Sequence, residues 1–105
     1  MRIMSSSTLK NFYSENPTAE QALKAWIQEA EFATWKNAGE LKSQFRNASV
    51  LNAKRVVFNI KGNSFRLIVD VEYRIRMIFV VWIGNHEQYN KIDANTISYD
   101  KTNKK

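Results

Sequence analysis

The chain has 105 residues, which suits a single domain with one core, and it contains no cysteine and one histidine. This composition excludes a disulfide framework and thiolate zinc sites and makes a histidine-based metal site a poor candidate, so we expect no metal and no cofactor. The net charge is +6, no apolar run approaches the ~18 residues of a membrane span, and the first residues lack the apolar stretch of a secretory signal. We therefore expect a cytoplasmic protein without membrane contact, with one domain over residues 1–97 and a polar tail over residues 98–105.

The first elements in the chain are predicted from short local signals. Arg2–Met4 has the composition of a short edge strand, and the hydroxyls of Ser5–Ser7 could cap a first helix over residues 7–15. That helix should end before Pro17, because the residue that precedes a proline avoids the helical region.

A second helix is predicted from Thr18 to about Lys36. Thr18 and Gln21 have the spacing of a capping box, and the apolar residues that follow recur at helical spacing, so one face should be buried. Gly39 is expected to interrupt the helical region before a short third helix near residues 40–45. The apolar stripe of the second helix consists of Leu23, Trp26, Ile27 and Ala30.

The pattern changes to strands near Arg55. Val56–Ile60 is rich in β-branched residues, Gly62-Asn63 is a hairpin signal, and residues 65–73 alternate apolar and polar side chains. A second turn is predicted near residues 74–76.

The last predicted strand, Met77–Gly84, is apolar on both faces and should therefore be central in the sheet. A short helix over residues 86–92 should follow it. Helices followed by strands predict an α+β fold, with the N-terminal helices packed on one face of a small, mostly antiparallel sheet. Arg66 should lie on the opposite face.

Positive charge is concentrated in this second half. Residues 1–53 carry six basic and five acidic side chains, whereas residues 54–91 carry seven basic and three acidic ones. Such an excess favours a polyanionic partner, most commonly nucleic acid, although a basic surface kept only for solubility would give the same count. The seven basic residues are Lys54, Arg55, Lys61, Arg66, Arg74, Arg76 and Lys91.

The residue types in this half suit metal-free cleavage of RNA. The sequence has no glycine-rich phosphate loop, no paired metal-binding histidines and no serine nucleophile elbow. Arginine can hold phosphate with a planar fork, histidine can exchange a proton near neutral pH, and tyrosine can stack on a base or relay a proton. The set comprises Lys61, Arg66, Arg74, Arg76, His86, Tyr89 and Lys91.

Each of these residues also has a purely structural interpretation. His86 could belong to a turn or helix cap, Tyr89 could anchor a short helix to the sheet, and Arg66 could be a solvated strand residue. Lys61 could simply be a turn lysine. The three tryptophans, Trp26, Trp35 and Trp82, are expected in the core rather than on a base-stacking surface.

Two motifs at a fixed separation resemble the HigB-type toxins of bacterial toxin–antitoxin pairs, within the RelE-like ribonuclease superfamily. The first is Val57–Val69, which reads VFNIKGNSFRLIV, and the second is Ile83–Asp93, which reads IGNHEQYNKID. The opening Arg2–Ser5 and the Ala25-Trp26 pair also look similar, so the resemblance extends to about Ile97.

This resemblance implies a metal-independent endoribonuclease that cleaves mRNA on the ribosome through attack by the 2′-hydroxyl. It also implies a cognate helix-turn-helix antitoxin of the HigA type, with operator DNA contacted only through that antitoxin. By position, Arg66 matches a phosphate clamp, and His86, Tyr89 and Lys91 match the proton-transfer and phosphate-contact groups. The expected RNA-binding residues are Arg55, Lys61, Asn63, Arg74 and Arg76.

Two positions depart from the family pattern. Asn85 replaces the usual threonine but still offers a capping side chain, and Asn90 replaces the usual aspartate after the tyrosine. If the aspartate of the family orients His86 or Lys91, the amide of Asn90 could keep that orientation without supplying a negative charge. Two alternatives therefore stay open: a non-catalytic RNA- or ribosome-binding module of the same fold, and a protein-interaction domain whose basic surface takes an acidic partner.

Overall fold

The structure is a computed structural model that describes residues 1–98 of the 105. The strands are β1 (Arg2–Met4), β2 (Ser49–Val50), β3 (Arg55–Ile60), β4 (Phe65–Glu72) and β5 (Met77–Asn85). The helices are α1 (Ser6–Glu15), α2 (Glu20–Phe32), α3 (Ala38–Gln44) and α4 (His86–Tyr89). Apart from Ser98, the polar tail expected over residues 98–105 lies outside the described residues, so the domain boundary remains a prediction.

The starts of α1 and α2 differ from the predicted caps. Ser5 precedes α1 in the left-handed region and makes no capping hydrogen bond through its side chain. A 3₁₀ turn over Pro17–Ala19 leads directly into α2, so Ala19 occupies the cap position and the predicted capping box at Thr18 and Gln21 is wrong. Proline fixes its own φ near the helical value, which favours a turn beginning at Pro17.

The predicted end of α2 at Lys36 is also wrong. The helix ends at Phe32 because Ala33 adopts an extended conformation, which lets the chain carry Trp35 back into the core. The helix α3 begins before Gly39 because the Asn37 side chain accepts a hydrogen bond from the Glu40 backbone at 3.0 Å. Gly39 therefore lies inside α3 and does not interrupt the helical region.

The five strands form one sheet in the order β1-β5-β4-β3-β2, in which β1 is parallel to β5 and the other neighbours are antiparallel. The predicted edge position of β1 is confirmed. The strand β5, predicted to be central, is an interior strand next to the edge, because only β1 pairs with its outer side, and β4 is the middle strand. The turn between β3 and β4 is also confirmed, but its positive φ angles fall on Lys61 (53°) and Gly62 (62°) rather than on Gly62 and Asn63.

The N-terminal helices cover one face of the sheet, as the α+β prediction requires. The main core lies between them and β3, β4 and β5. At its centre the Phe58 ring packs edge-to-face on Trp26 and on Phe45, with ring centroids 5.2 Å and 5.0 Å apart. Each such contact stabilises the fold by about 0.5–1.5 kcal/mol in addition to the burial of apolar area. Within residues 1–98 no helix is both long and apolar enough to cross a membrane.

The opposite face carries a smaller cluster and is only partly covered. The segment after α4 packs Ala94 against Val57 and Ile68, with Ile92 and Ile97 beside them. This cover extends over the middle of the sheet, and it leaves Asn59 exposed and Arg66 half-buried in the row near the β3–β4 turn. That open end of the face carries the candidate site.

Candidate functional site

The open end of the sheet face is built from one cross-strand row and two neighbouring chain segments. Arg66 on β4 pairs with Asn59 on β3 and with Gly84 on β5, and directly opposite residues share a face. The β3–β4 turn closes this end on one side, and α4 follows β5 on the other. The sequence-predicted residues that the structure places here are Lys61, Asn63, Arg66, His86, Tyr89 and Lys91.

Arg66 is held by neutral groups alone within residues 1–98. Its guanidinium donates to the Asn63 carbonyl at 3.1 Å, to the Phe65 carbonyl at 3.4 Å and to Asn63 Oδ1 at 3.4 Å. The guanidinium carbon also lies 5.6 Å from the centroid of the Tyr89 ring, which is cation–π distance. No carboxylate of the described residues forms an ion pair with it, so its charge remains available for an anionic ligand.

His86 begins α4 on the edge of the same cluster. Asn85 caps the helix by accepting from the Gln88 backbone at 2.8 Å, while Gln88 Oε1 accepts from the Asn85 backbone at 2.9 Å. The His86 backbone N–H donates to the Ser64 carbonyl at 3.1 Å, which ties α4 to the β3–β4 turn. The expectation that Asn85 supplies a capping side chain is confirmed.

The His86 ring is exposed and faces the position that departs from the family pattern. The Asn90 amide nitrogen lies 3.3 Å from His86 Nδ1. With the amide donating to Nδ1, the neutral imidazole carries its proton on Nε2. The ring then presents a proton donor toward solvent.

Tyr89 joins α4 to the sheet through Trp82. The two rings lie 6.2 Å apart and are tilted by 49°. The Trp82 ring crosses Gly84, where a Cβ atom would come within 2.6 Å of the indole and within 2.8 Å of Gln88 Oε1. A glycine is therefore required at position 84, because any side chain there would collide with the Trp82 ring.

The expectation of core tryptophans is confirmed for Trp26 and Trp35, whereas Trp82 is only partly buried, on the opposite face. The sequence pattern did not single out Trp82 as a neighbour of the site. The signal that could have found it is its spacing of two residues from Gly84, which places both on one strand face.

Arg55 belongs to the same face but has a different environment. Its Nε and one terminal nitrogen bind Asp70 in bidentate fashion at 2.6 and 3.0 Å. The other terminal nitrogen donates to the carbonyls of Ala94 at 2.9 Å and Ile97 at 2.6 Å. The hydrogen bond with Asp70 raises the pKa of Arg55.

Arg74 and Arg76 lie far from the cluster. They occupy the β4–β5 turn, at the opposite end of the eight-residue β4 from Arg66. At about 3.3 Å per residue, the length of β4 separates these arginines from Arg66 by roughly 20 Å or more. Direct contacts therefore join Arg66 to Asn63 and Tyr89, and a backbone hydrogen bond joins His86 to the β3–β4 turn. Lys61 and Lys91 lie in the two adjoining segments, and Arg55, Arg74 and Arg76 lie elsewhere.

Within the described part of the chain, no three side chains of the metal-binding types are grouped closely enough to hold a metal ion. The cluster at the open end is instead cationic, amide-bearing and aromatic. Such a set can bind phosphate, stack on a base and donate a proton.

Together, the fold and this cluster describe a small α+β protein with cationic, amide and aromatic side chains at one end of its sheet. The family model of the HigB toxins, described as the RelE-like toxic component of a toxin–antitoxin system, matches residues 19–92. The match covers well over half of the chain and includes all six clustered residues, so the chain belongs to this family of toxins. A search of curated proteins gives no match. Membership in a toxin–antitoxin family implies an antitoxin partner.

Proposed function

We propose that this toxin is a metal-independent endoribonuclease that cleaves mRNA at the open end of the sheet face. The observation that carries the proposal is Arg66, a half-buried arginine without a carboxylate partner among residues 1–98, which is bonded to Asn63 of the β3–β4 turn. An arginine held by neutral acceptors and an aromatic ring keeps both its charge and its orientation for a phosphate.

The reaction that these groups support is transfer of phosphate within the RNA. The 2′-oxygen forms a bond to the adjacent phosphorus while the bond to the 5′-oxygen breaks, which leaves a 2′,3′-cyclic phosphate and a free 5′-hydroxyl. The 2′-hydroxyl proton passes to water at this exposed edge. His86, when protonated on both ring nitrogens, gives its Nε2 proton to the departing 5′-oxygen, and the neutral ring that remains takes up a proton from water before the next cycle. Arg66 stabilises the additional charge on the pentacoordinate phosphorus.

The remaining residues of the cluster bind the substrate. Lys61, in the β3–β4 turn, and Lys91, in the turn after α4, are exposed and add positive charge to the two segments that adjoin the row of Arg66. Asn63 orients Arg66 through its backbone carbonyl and its side-chain oxygen. Tyr89, with one ring face toward the guanidinium, fixes the plane in which the arginine meets a phosphate.

The cellular setting follows from toxin–antitoxin membership together with this chemistry. We expect cytoplasmic mRNA, bound to the ribosome, as the substrate, and a helix-turn-helix antitoxin of the HigA type as the partner that neutralises the toxin and contacts operator DNA. A small helix-turn-helix protein encoded beside this gene would support the assignment. An adjacent gene for an unrelated antitoxin class would overturn this part of it.

The test is cleavage of RNA in EDTA, with and without translating ribosomes, by the wild-type protein and by His86→Ala. Loss of the proton donor should lower the cleavage rate by about 10²–10⁴-fold and relieve growth arrest. Lys54→Ala is a suitable control because Lys54 is exposed, pairs with Glu72 and lies outside the cluster. No new RNA ends from the wild-type protein under either condition would contradict the proposal.

A second candidate is a non-catalytic RNA- or ribosome-binding module of the same fold. It is favoured by the uncharged amide of Asn90 beside His86, because that position provides no carboxylate to stabilise an imidazolium. Tight binding to ribosomes with no new RNA ends, unchanged by His86→Ala, would select it.

A further inference from the structure

A cavity of about 240 Å³ lies beside the candidate site, at the outer edge of β3. One wall is the segment that joins α3 to β2, and the other is the end of β3 that leads into the β3–β4 turn. One water molecule needs about 10–15 Å³ on the same measure, so the cavity has room for a ligand much larger than a water molecule. The cavity is lined by Gln44, Phe45, Arg46, Asn47, Ala48, Phe58 and Asn59.

The cavity exists because β2 is too short to pair with the whole of β3. β2 pairs only with Val56 and Val57, so the outer edge of β3 has no strand neighbour beyond that point among residues 1–98. The chain before β2 turns tightly, with the Ala48 N–H donating to the Phe45 carbonyl at 3.1 Å. The Phe45 ring packs on Phe58 and provides an apolar floor.

Three polar side chains at the mouth of this cavity have no partner. Arg46, Asn47 and Asn59 are exposed, and their side chains form no hydrogen bond or ion pair with other residues in the range 1–98. Gln44, by contrast, is held by the Trp35 indole at 2.9 Å. Amides offer both a donor and an acceptor to the edge of a base, and arginine offers a fork to phosphate.

Asn59 belongs both to the lining of the cavity and to the cross-strand row that contains Arg66. Asn59 lines the cavity and lies directly opposite Arg66 in the β3–β4 ladder, which puts their Cβ atoms about 5 Å apart. An RNA strand whose phosphate sits on Arg66 therefore brings a neighbouring nucleotide to the cavity mouth.

We propose that this cavity is a nucleotide-binding subsite, in which Asn47 and Asn59 read the base edge of a nucleotide flanking the scissile phosphate and Arg46 holds its phosphate. The subsite would set the sequence preference of cleavage, and this inference rests on the proposed ribonuclease function. None of the three side chains touches the reacting groups, so they govern which RNA is cut rather than the chemistry of cutting.

The first test maps the RNA ends produced by the wild type and by Asn47→Ala, Asn59→Ala and Arg46→Ala on a pool of random sequence. Loss of a base-edge contact should lower the preference for the favoured flanking nucleotide by about tenfold, while cleavage at disfavoured sequences continues. Asn11→Ala, an exposed amide on α1, is the matched control and should leave the preference unchanged. Arg46→Ala, which removes a phosphate contact, should instead slow cleavage of all sequences by a similar factor. If Asn47→Ala and Asn59→Ala cut the same sites in the same proportions as the wild type, the subsite is wrong.

The second test separates the subsite from the ribonuclease activity. A 2′-O-methyl RNA tetranucleotide, which cannot be cleaved by its own 2′-oxygen, is titrated into the protein while side-chain amide resonances are followed by NMR. The Asn47 and Asn59 amides should shift on binding and the Asn11 amide should not. Shifts at Asn47 and Asn59 without cleavage by the wild type would support the subsite and reject the ribonuclease. Absence of those shifts in a protein that cleaves RNA would reject the subsite alone.

Discussion

Arg55 and Arg66 lie on neighbouring strands and on the same face of the sheet, yet their surroundings are opposite. The Arg55 side chain is 11% exposed and binds a carboxylate and two backbone carbonyls, whereas Arg66 faces only neutral groups of the described residues and a tyrosine ring. Arg55 holds the C-terminal segment onto the sheet, and Arg66 is left for a ligand. Equal formal charges therefore differ in function because of what each charge already binds.

The largest expected effect is the loss of RNA cleavage on substitution of Arg66. Arg66→Ala should lower RNA cleavage by roughly 10²–10³-fold, because it removes the group that stabilises charge on the phosphorus. The cleavage rate of Arg66→Lys should lie between those of the wild type and of Arg66→Ala, because a lysine keeps the charge but loses the planar fork. Single-turnover cleavage rates measure this effect, and urea unfolding should show a change of no more than about 0.5 kcal/mol. A rate equal to that of the wild type would remove Arg66 from the site.

Substitution of Arg55, on the covered part of the sheet face, should lower the stability of the fold. Arg55→Ala leaves Asp70 without its partner and frees two carbonyls, so the free energy of unfolding should fall by about 2–4 kcal/mol. Because the pKa of Arg55 is raised by its hydrogen bond to Asp70, the guanidinium stays charged and this contribution persists through the alkaline range below the ordinary arginine pKa.

Urea denaturation of Arg55→Ala, with Lys54→Ala as the exposed neighbouring control, measures the difference. Replacing both partners, as in Arg55→Met with Asp70→Leu, should recover part of the loss because no charge is then left unpaired. A single Arg55→Ala variant as stable as the wild type would refute the structural role.

A substitution at Gly84 measures how much the close packing of Trp82 on the sheet contributes to stability at the open end. Gly84→Ala places a methyl group against the Trp82 indole and Gln88, and it should cost about 1–3 kcal/mol through overpacking. Adding Trp82→Ala should remove the clash, so the two substitutions together should cost less than the sum of their separate effects. Strictly additive free energies of unfolding would show that the two residues do not touch.

The smallest effect concerns Tyr73, which follows β4 at the end away from Arg66. Its hydroxyl is buried without a hydrogen-bond partner among residues 1–98, so Tyr73→Phe should gain about 0.5–1 kcal/mol near neutral pH. Burial also raises the pKa of the Tyr73 hydroxyl above its ordinary value of 10.0.

The pH dependence of the Tyr73 effect has a definite sign. The unfolded state ionises first as the pH rises through 10.0, so the wild type should lose stability there and the variant should lose less. Unfolding free energies measured at pH 8 and pH 11 compare the two proteins. A larger alkaline loss in Tyr73→Phe would contradict the burial of the hydroxyl.

The hairpin of β3 and β4 and the internal strand β5 could be predicted because their signals are local: β-branched runs, alternation and turn residues. The end of α2 and the two-residue β2 could not, because tertiary packing of Trp35 and pairing to β3 determine them. Asp70, the partner of Arg55, lies 15 positions away on the neighbouring strand. A count of charges along the sequence does not show which residues face each other across two strands, so this pair could not be predicted.

The candidate site shows the same division. The two family motifs predicted that the β3–β4 turn and the segment after β5 act together, and the structure places them at one end of the sheet. Charge alone grouped Arg74 and Arg76 with Arg66, although the length of β4 separates them. Arg46 and Asn47 were not predicted, because a cavity formed by the early end of a strand has no local sequence signal.

The central claim is that Arg66 acts on RNA and Arg55 acts on the fold. The most direct test is the cleavage rate of one mRNA by Arg55→Ala and by Arg66→Ala, each corrected for its folded fraction. Arg66→Ala should be slower than the wild type by roughly 10²–10³-fold, and Arg55→Ala should stay within about tenfold of it. Equal losses in the two variants, or a greater loss in Arg55→Ala, would contradict the account.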